Sequence, residues 1–272
     1  MPNRSQSRPA AGEWWTGYFD ARYLIEFEPL FDSERDRREV ARLIELLGLP
    51  SGSRLLDVPC GQGRHAHLLA EAGFDVDGLD YSPELLAVAK RRGTAKTLRY
   101  TRGDMRRLPG RWTGRFAAVI NMFTSFGFFA NPADDRRVLA EFARVLEPGG
   151  LFVWHGGDRD GVMARFLARD WWRTRDGTLV AQERTFDPLS GILTVQTEWS
   201  RAGRRGGAGS REHRIRLYTP TRLAELCAGE GLVVEQAFDG FSDSPVARRS
   251  SEMLLVARKE GGTPLPGRRR LR

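Results

Sequence analysis

The sequence predicts an α/β protein with a doubly wound, mostly parallel sheet of seven strands, helices on both faces and a small antiparallel β insert. Three observations support this fold class. Apolar segments of strand length alternate with amphipathic segments of helical length between residues 54 and 156, which is typical of parallel strands joined by helices. A glycine-rich turn, GQG, follows the first apolar segment. Over residues 178–218 the hydrophobic pattern changes to a period of two, which indicates antiparallel strands.

The N-terminal half divides into elements through signals at their ends. Residues 13–48 are predicted to be helical segments, and the last of these, over 34–47, stops at Gly48. Ser82, Pro83 and Glu84 open a further helix, because they supply an N-cap hydroxyl, a first-turn proline and a favourably placed carboxylate. The other predicted elements of this half are strands over 54–58, 74–80, 97–104, 115–123 and 151–156, and helices over 64–73 and 132–150.

The C-terminal half begins with the insert, which we place at about residues 170–218. Turn signals such as DPLSG join its strands. The predicted elements are insert strands over 178–186, 192–200 and 212–218, then a helix over 220–230 and strands over 231–238 and 251–258 that return to the main sheet. The insert is too small to predict an independent domain.

Composition narrows the class of protein. The chain has 272 residues, of which 40% are hydrophobic, and this is enough for a sizeable core. No apolar run approaches the roughly 20 residues that span a bilayer, and the N-terminal segment does not resemble a signal peptide. The two cysteines, Cys60 and Cys227, cannot form a CxxC metal site, and such sparse use is typical of a reducing compartment. We therefore expect a cytoplasmic protein that holds no metal and contacts no membrane.

The formal net charge of +8 is concentrated in segments predicted to be disordered. Arginines without acidic neighbours lie in residues 1–12 and 261–272, and a further cluster lies in the glycine-rich stretch SRAGRRGGAGSR. The folded body is therefore close to neutral, and solvated tails explain the charge better than a nucleic-acid-binding arm does. Binding of RNA by these segments would weaken steeply with salt.

The stretch GQGRHA matches a dinucleotide-binding pattern, but its neighbours argue against that ligand. Asp57, four residues before Gly61, would repel a pyrophosphate. Arg64 and His65 open the next helix, where close packing under a dinucleotide favours small residues. A nucleotide-binding P-loop is excluded because no G-K-[ST] follows. A carboxylate at this turn suits a ligand that carries positive charge.

Several motifs in order carry a family resemblance: LLDVPCGQG, VDGLDYS, TRGDMRRLP, RFAAVINMF and RVLEPGG. Together they resemble the class I S-adenosylmethionine-dependent methyltransferases, from about Trp14 to Lys259. The resemblance implies a Rossmann-like methyltransferase domain over residues 13–260, with a helical cap at 13–50 and S-adenosylmethionine as cofactor. The insert resembles that of amino-sugar N-methyltransferases, where comparable strands cap the site or pair two subunits.

The resemblance also implies roles for individual residues. Gly61 and Gly63 let the backbone approach the methionine moiety, and Asp57 belongs to the polar network below them. Asp80 accepts both ribose hydroxyls. The remaining implied cofactor-binding residues are Tyr81 and Met105 beside the adenine, Asp104 on its exocyclic amine, Asn121 near the methyl group, and Tyr18 closing over the cofactor.

The acceptor is predicted to be a small molecule with a nitrogen, oxygen or carbon nucleophile. The segment after the fourth strand reads NMFT, without the prolines of amino-methylating DNA enzymes, and the following SFGFF predicts an apolar pocket. An RNA or protein methyltransferase and a non-catalytic cofactor-binding protein remain alternatives, with a nicotinamide enzyme as a more distant one. A homodimer formed through the insert is a further expectation. The candidate catalytic residues are His155 at the end of the fifth strand, His213 on the insert and Tyr18.

Overall fold

The computed structural model describes residues 13–201, 203 and 207–261. The predicted tails cover 1–12 and 261–272. All of their residues except Gly261, together with Arg204 and Arg205 of the basic stretch, lie outside the described residues. The helices are α1 Trp15–Tyr18, α2 Ala21–Glu26, α3 Ser33–Leu47, α4 Arg64–Glu71, α5 Pro83–Arg92, α6 Pro132–Val145, α7 Arg159–Ala164 and α8 Pro220–Gly229. The strands are β1 Arg54–Asp57, β2 Asp75–Asp80, β3 Leu98–Arg102, β4 Phe116–Asn121, β5 Leu146–Gly157, β6 Arg169–Arg173, β7 Leu179–Asp187, β8 Ile192–Ser200, β9 Gly209–Arg216, β10 Leu232–Asp239 and β11 Glu252–Lys259.

The main sheet has seven strands in the order β10-β11-β5-β4-β1-β2-β3. Strands β1 to β5 pair in parallel, and β11 runs antiparallel to both of its neighbours. A separate sheet of four antiparallel strands, β6-β7-β8-β9, forms the insert. The predicted fold class is therefore confirmed.

Both faces of the main sheet are buried, as the apolar strand sequences indicate. Leu55 and Leu56 alternate along β1 and pack into different clusters on opposite faces. On one face Leu56 joins the cluster of Phe142 and Phe152, and on the other Leu55 joins Leu43 of α3. None of the helices in the described ranges is long and apolar enough to cross a membrane.

The largest difference from the predicted boundaries lies where α6 meets β5, and β6 was not predicted. The helix predicted over 132–150 ends at Val145, and β5 begins at Leu146 rather than at 151. Pro148 is the physical reason, because it lacks a backbone donor and disfavours helical backbone in the preceding residue. Strand β6 is a short edge strand in which most side chains are exposed, so it has no alternating apolar pattern to reveal it.

The N-terminal helices lie between the insert sheet and the main sheet. Arg211 of β9 forms an ion pair with the buried Glu26 of α2, and its guanidinium lies 3.9 Å from the centroid of the Tyr18 ring. Trp172 of β6 donates a hydrogen bond of 2.8 Å from Nε1 to the Glu26 carbonyl. On the other side, the Ser82 hydroxyl donates to the Phe19 carbonyl at 2.5 Å. We define the cap as residues 13–31, the part of the predicted 13–50 cap that precedes α3.

Candidate functional site

A cleft opens at the carboxyl ends of β1, β2, β3 and β4, beneath the cap. Ligands of open α/β sheets lie at this edge. Its empty volume is about 830 Å³, including space open to solvent. The aromatic lining residues are Trp15, Phe19, Tyr23, Phe31, Tyr81, Phe123, Phe128 and Phe129. The other lining residues are Asp57, Pro59, Cys60, Gly61, Gln62, Arg64, His65, Leu79, Asp80, Leu85, Gly103, Asp104, Met105, Met122 and Ser125.

Asp57 ends β1 at the floor of the cleft and is 2% exposed. Its carboxylate accepts a hydrogen bond from the Ala66 backbone N–H, whereas its Oδ2 has no hydrogen-bond partner among the described residues. Burial raises the pKa of Asp57 to about 8, and the nearby charge of Asp80 acts in the same direction. A buried carboxylate oxygen without a partner is costly, and a positively charged ligand group would satisfy it.

The two glycines of the turn have different surroundings. Gly61 has a φ of +52°, and a Cβ placed on it would meet nothing within 4 Å. Gly63 has a φ of +75°, and its Cβ would lie 2.9 Å from the Ala89 Cβ and would overlap the Tyr100 hydroxyl. Gly61 therefore leaves space open, whereas Gly63 permits close packing of α4 against α5 and β3 and does not line the cleft.

Asp80 ends β2 and links the glycine turn to the next helix. Its Oδ2 accepts a hydrogen bond of 2.8 Å from the Gly61 N–H, and its Oδ1 accepts one of 2.8 Å from the Ser82 N–H. Burial raises the pKa of Asp80 to about 6, against the lowering effect of these backbone donors. Each oxygen retains a lone pair for a ligand hydroxyl.

Tyr81, Asp104 and Met105 lie together in the cleft, as their positions after β2 and β3 predict. The Tyr81 ring packs edge-on against Trp15, with centroids 4.8 Å apart. The Asp104 carboxylate accepts a hydrogen bond of 2.7 Å from Arg106 Nη2, so the arginine fixes its orientation. We call the part of the cleft that these residues line the slot; its surface is apolar apart from one carboxylate.

Tyr18 and Asn121 do not line the cleft. Tyr18 is a cap residue buried against the insert, where its ring packs against Trp14 and His213. The Asn121 side chain donates a hydrogen bond of 2.8 Å from Nδ2 to the Val58 carbonyl and so supports the turn after β1. Its Oδ1 has no partner among the described residues.

Neither histidine expected to act as a base lines the cleft. His155 is a buried residue of β5. Its Nε2 lies 3.4 Å from Glu252 Oε2 on β11, and its ring packs on Phe241. His213 is half-buried beneath the cap, and desolvation there, together with nearby arginine charge, lowers its pKa to about 3. All three candidate catalytic residues (Tyr18, His155 and His213) are thus placed outside the lining by packing that a single sequence does not reveal.

Sequence reasoning missed the contribution of the cap to the cleft. Trp15, Phe19, Tyr23 and Phe31 form one wall, although only the aromatic density of the N-terminal segment could have indicated this. Arg64 was also missed. It is the only lysine or arginine that lines the cleft within the described part of the chain, and it forms a buried ion pair with Asp36 of α3. No cluster of potential metal ligands occurs in the described ranges.

Comparison with known proteins gives consistent results. The family model described as "Methyltransferase domain" matches residues 55–150. The chain is 31% identical over 221 residues to the dTDP-3-amino-3,6-dideoxy-α-D-glucopyranose N,N-dimethyltransferase of Streptomyces fradiae, covering 75% of this chain and 79% of that protein. It is 33% identical over 173 residues to a glycine/sarcosine N-methyltransferase of Halorhodospira halochloris, covering 62% of this chain and 65% of that protein.

Solved structures share the fold. An S-adenosylmethionine-dependent methyltransferase from Clostridium acetobutylicum aligns with a TM-score of 0.73 at 17% identity, covering 88% of this chain and 97% of the other. The sugar N-methyltransferase KedS8 from a Streptoalloteichus species aligns with a TM-score of 0.67 at 22% identity, covering 96% and 98%. At these identities the likeness concerns the fold alone.

Proposed function

Because this chain belongs to the S-adenosylmethionine-dependent methyltransferases, we propose that it transfers the cofactor's methyl group to the nitrogen of a small-molecule amine. When bound, the cofactor supplies an electrophilic methyl group on a cationic sulfur. The observation that carries the proposal is the acidic, aromatic cleft, with three carboxylates and one arginine among its lining residues. That charge pattern suits a ligand with two positive groups and one carboxylate.

The glycine turn supplies contacts for the amino acid end of the cofactor. We assign the unpartnered Asp57 Oδ2 to the cofactor's ammonium group. The open space at Gly61 would let the amino acid end of the cofactor approach the protein backbone closely. Arg64 donates through Nη1 to Asp36, and no described residue pairs with its other guanidinium nitrogens. Arg64 is therefore our candidate for the cofactor's carboxylate.

The slot at β2 and β3 suits the nucleoside. Asp80 would accept the ribose hydroxyls, Tyr81 and Met105 would flank the adenine, and Asp104 would accept its exocyclic amine. Tyr23 replaces Tyr18 as our candidate for the aromatic that closes over the cofactor, because it is Tyr23 that lines the cleft. We infer that Gly63 and Asn121 support this site by shaping the turn after β1.

An amine is favoured as the acceptor because two relatives, at 31% and 33% identity, are named for methylation of nitrogen, on an amino sugar and on glycine or sarcosine. Phe31, Phe123 and Phe128 give the cleft an apolar surface against which a sugar ring or alkyl amine can pack. Among the described residues, Arg64 is the one lysine or arginine in this lining, so the cleft has no row of positive charges that could bind a nucleic-acid backbone. A small molecule therefore fits better than RNA.

Transfer of a labelled methyl group tests the proposal. We expect label in dTDP-3-amino-3,6-dideoxy-α-D-glucopyranose and none in the matched sugar that carries a 3-hydroxyl. Glycine, a protein extract and an RNA pool serve as the other acceptors, with cofactor binding measured by calorimetry. Label in the hydroxyl sugar or in RNA would contradict the amine proposal, whereas tight cofactor binding without any labelled acceptor would indicate a non-catalytic protein.

The homodimer stays a prediction. Leu167 and Trp171 are 56% and 67% exposed at the β6 edge of the insert sheet, so this edge offers apolar area to a second copy. Analytical ultracentrifugation of the wild type and of Trp171→Glu tests it, and a monomeric wild type would contradict it.

A further inference from the structure

His65 is a buried residue that lines the cleft and forms a hydrogen bond on the side of Glu39. It lies in the first turn of α4, two residues after Gly63, and lines the cleft. Its Nε2 lies 2.9 Å from Glu39 Oε2 on α3. The other oxygen, Glu39 Oε1, accepts a hydrogen bond of 2.6 Å from Arg35 Nε. Glu39 is therefore held between two donors and orients the imidazole ring.

The hydrogen bond determines which ring nitrogen carries the proton. Although burial acts to raise it, the pKa of Glu39 is lowered to about 2 by hydrogen bonds and charge from His65 and Arg35. Glu39 is thus a carboxylate, which can only accept, so Nε2 must carry a hydrogen. In the neutral ring Nδ1 then holds a lone pair, since the hydrogen bond of the ring with Glu39 is made by Nε2.

The ring is neutral at neutral pH. Burial lowers the pKa of His65 below its usual value, and the charge of Arg64 on the same helix acts in the same direction. Glu39 and Asp36 on α3 oppose this effect. Nδ1 is therefore free to accept a proton, and a carboxylate 2.9 Å from Nε2 is ready to stabilise the resulting imidazolium.

Two other histidine–carboxylate pairs provide a contrast. His67 lies on the same helix with its Nε2 3.2 Å from Glu71 Oε1 at the surface, and His155 pairs with Glu252 between β5 and β11. Neither His67 nor His155 lines the cleft. Of the three pairs, the one formed by His65 and Glu39 is placed to meet a ligand.

We propose that His65 is the general base that removes a proton from the acceptor amine, with Glu39 as its positioning residue; the proposal rests on the amine acceptor proposed above. An ammonium group has no lone pair, so it must lose a proton before it can attack. The proton passes from the ammonium nitrogen to Nδ1. The freed lone pair forms the new nitrogen–carbon bond as the methyl carbon–sulfur bond breaks, and that electron pair stays on sulfur. The imidazolium then releases its proton to water.

The test compares three variants with dTDP-3-amino-3,6-dideoxy-α-D-glucopyranose as the probe. We expect His65→Gln to lower kcat by about 100-fold or more, as loss of a general base does, while cofactor affinity by calorimetry is kept. Glu39→Gln should cause a smaller loss and move the acidic limb of the kcat–pH profile to lower pH, because it removes the charge that raises the pKa of His65. His67→Gln is the matched control and should leave kcat unchanged.

Measuring kcat with both substrates saturating keeps ionisations that affect only binding out of the profile. The acidic limb should lie below the usual pKa of histidine in the wild type and disappear in His65→Gln. Nitrogen-15 NMR of the imidazole gives a readout without turnover, and we expect a protonated Nε2 and an unprotonated Nδ1.

Each contrary result has a distinct meaning. An unchanged kcat and acidic limb in His65→Gln, or a proton on Nδ1 of the neutral ring, would overturn the assignment. Equal losses of cofactor affinity and kcat in His65→Gln would give the pair a structural role and overturn the assignment as well. A lowered melting temperature with normal kcat in Glu39→Gln would do the same. A wild type that binds the cofactor and labels no amine would instead refute the proposed function.

Discussion

Two carboxylates on one strand show how position alone separates structural from ligand-facing roles. Asp77 and Asp80 both lie on β2, three residues apart, and therefore face opposite sides of the sheet. Asp77 accepts hydrogen bonds from Arg54 and Arg99, which lower its pKa although burial acts to raise it. Asp80 meets only backbone donors in the cleft, and burial raises its pKa to about 6.

We expect Asp80→Asn to weaken S-adenosylmethionine binding by about 1.5–3 kcal/mol, since it removes the charge that accepts the ribose hydroxyls. Isothermal titration calorimetry measures this. Asp77→Asn is the matched control on the same strand and should lower the melting temperature while leaving cofactor affinity unchanged. Equal affinities of Asp80→Asn and the wild type would remove Asp80 from the site.

The sequence could predict site residues that follow directly from strand ends. Asp57, Asp80 and Asp104 each end or follow a parallel strand, and those ends meet at one edge of the sheet. Side chains whose direction depends on tertiary packing were not predictable. His155 lies near the end of β5, as predicted, but its side chain points to the face of the sheet opposite to that of Trp154. There it lies beside Glu252 and does not line the cleft.

At the scale of elements, the insert stabilises the cap rather than lining the cleft itself. Arg211 of β9 ion-pairs with Glu26 and also donates a hydrogen bond of 2.7 Å from Nη1 to the Tyr18 carbonyl. The Glu26 side chain is fully buried, and this burial raises its pKa although Arg211 lowers it. The cap in turn supplies the aromatic wall of the cleft. Arg211, together with Trp172 and the ring contact of His213 with Tyr18, therefore couples the insert to the site through the cap.

Arg211→Met should destabilise the protein by about 3 kcal/mol, because it leaves the buried Glu26 carboxylate with only a contact of 3.9 Å to Arg22. Thermal or urea unfolding measures the change. Arg214→Met is the matched control on the same strand, since Arg214 is exposed and pairs with Glu212 at 2.7 Å; its effect should be under about 1 kcal/mol. The double variant Arg211→Met, Glu26→Met should recover most of the loss, and failure to do so would contradict the assigned cause.

Element boundaries were predictable where a local signal marks them. The N-cap of α5 at Ser82 accepts a hydrogen bond of 3.1 Å from the Leu85 N–H, as the Ser-Pro-Glu sequence indicates. Strand β6 was missed because its sequence, RDWWR, has no alternation, and it is held by pairing with β7. Its position depends on the insert as a whole, and a local pattern cannot report that.

Over the whole molecule, the two sheets and the cap enclose acids that would be hydrated in the unfolded chain. Asp57 and Asp80 are 2% and 6% exposed, and burial raises their pKa values to about 8 and about 6. The folded protein without cofactor therefore retains protons that the unfolded chain has lost above about pH 4. Its free energy of unfolding falls as the pH rises towards 8. Burial of Asp57 and Asp80 prepares the cleft for a cationic ligand, and it therefore lowers the stability of the protein without cofactor.

Cofactor binding should reverse this pH dependence. A cationic ligand favours ionised carboxylates, so binding at pH 6 must expel a proton from Asp57, whereas at pH 8 much less proton release is needed. We expect the rise in melting temperature produced by S-adenosylmethionine to be larger at pH 8 than at pH 6. Calorimetry in buffers of different ionisation enthalpy should detect proton release on binding at pH 6. In Asp57→Asn both effects should shrink, because the group that titrates nearest pH 8 is gone. A stabilisation that is the same at both pH values would mean that no positive group of the cofactor meets Asp57.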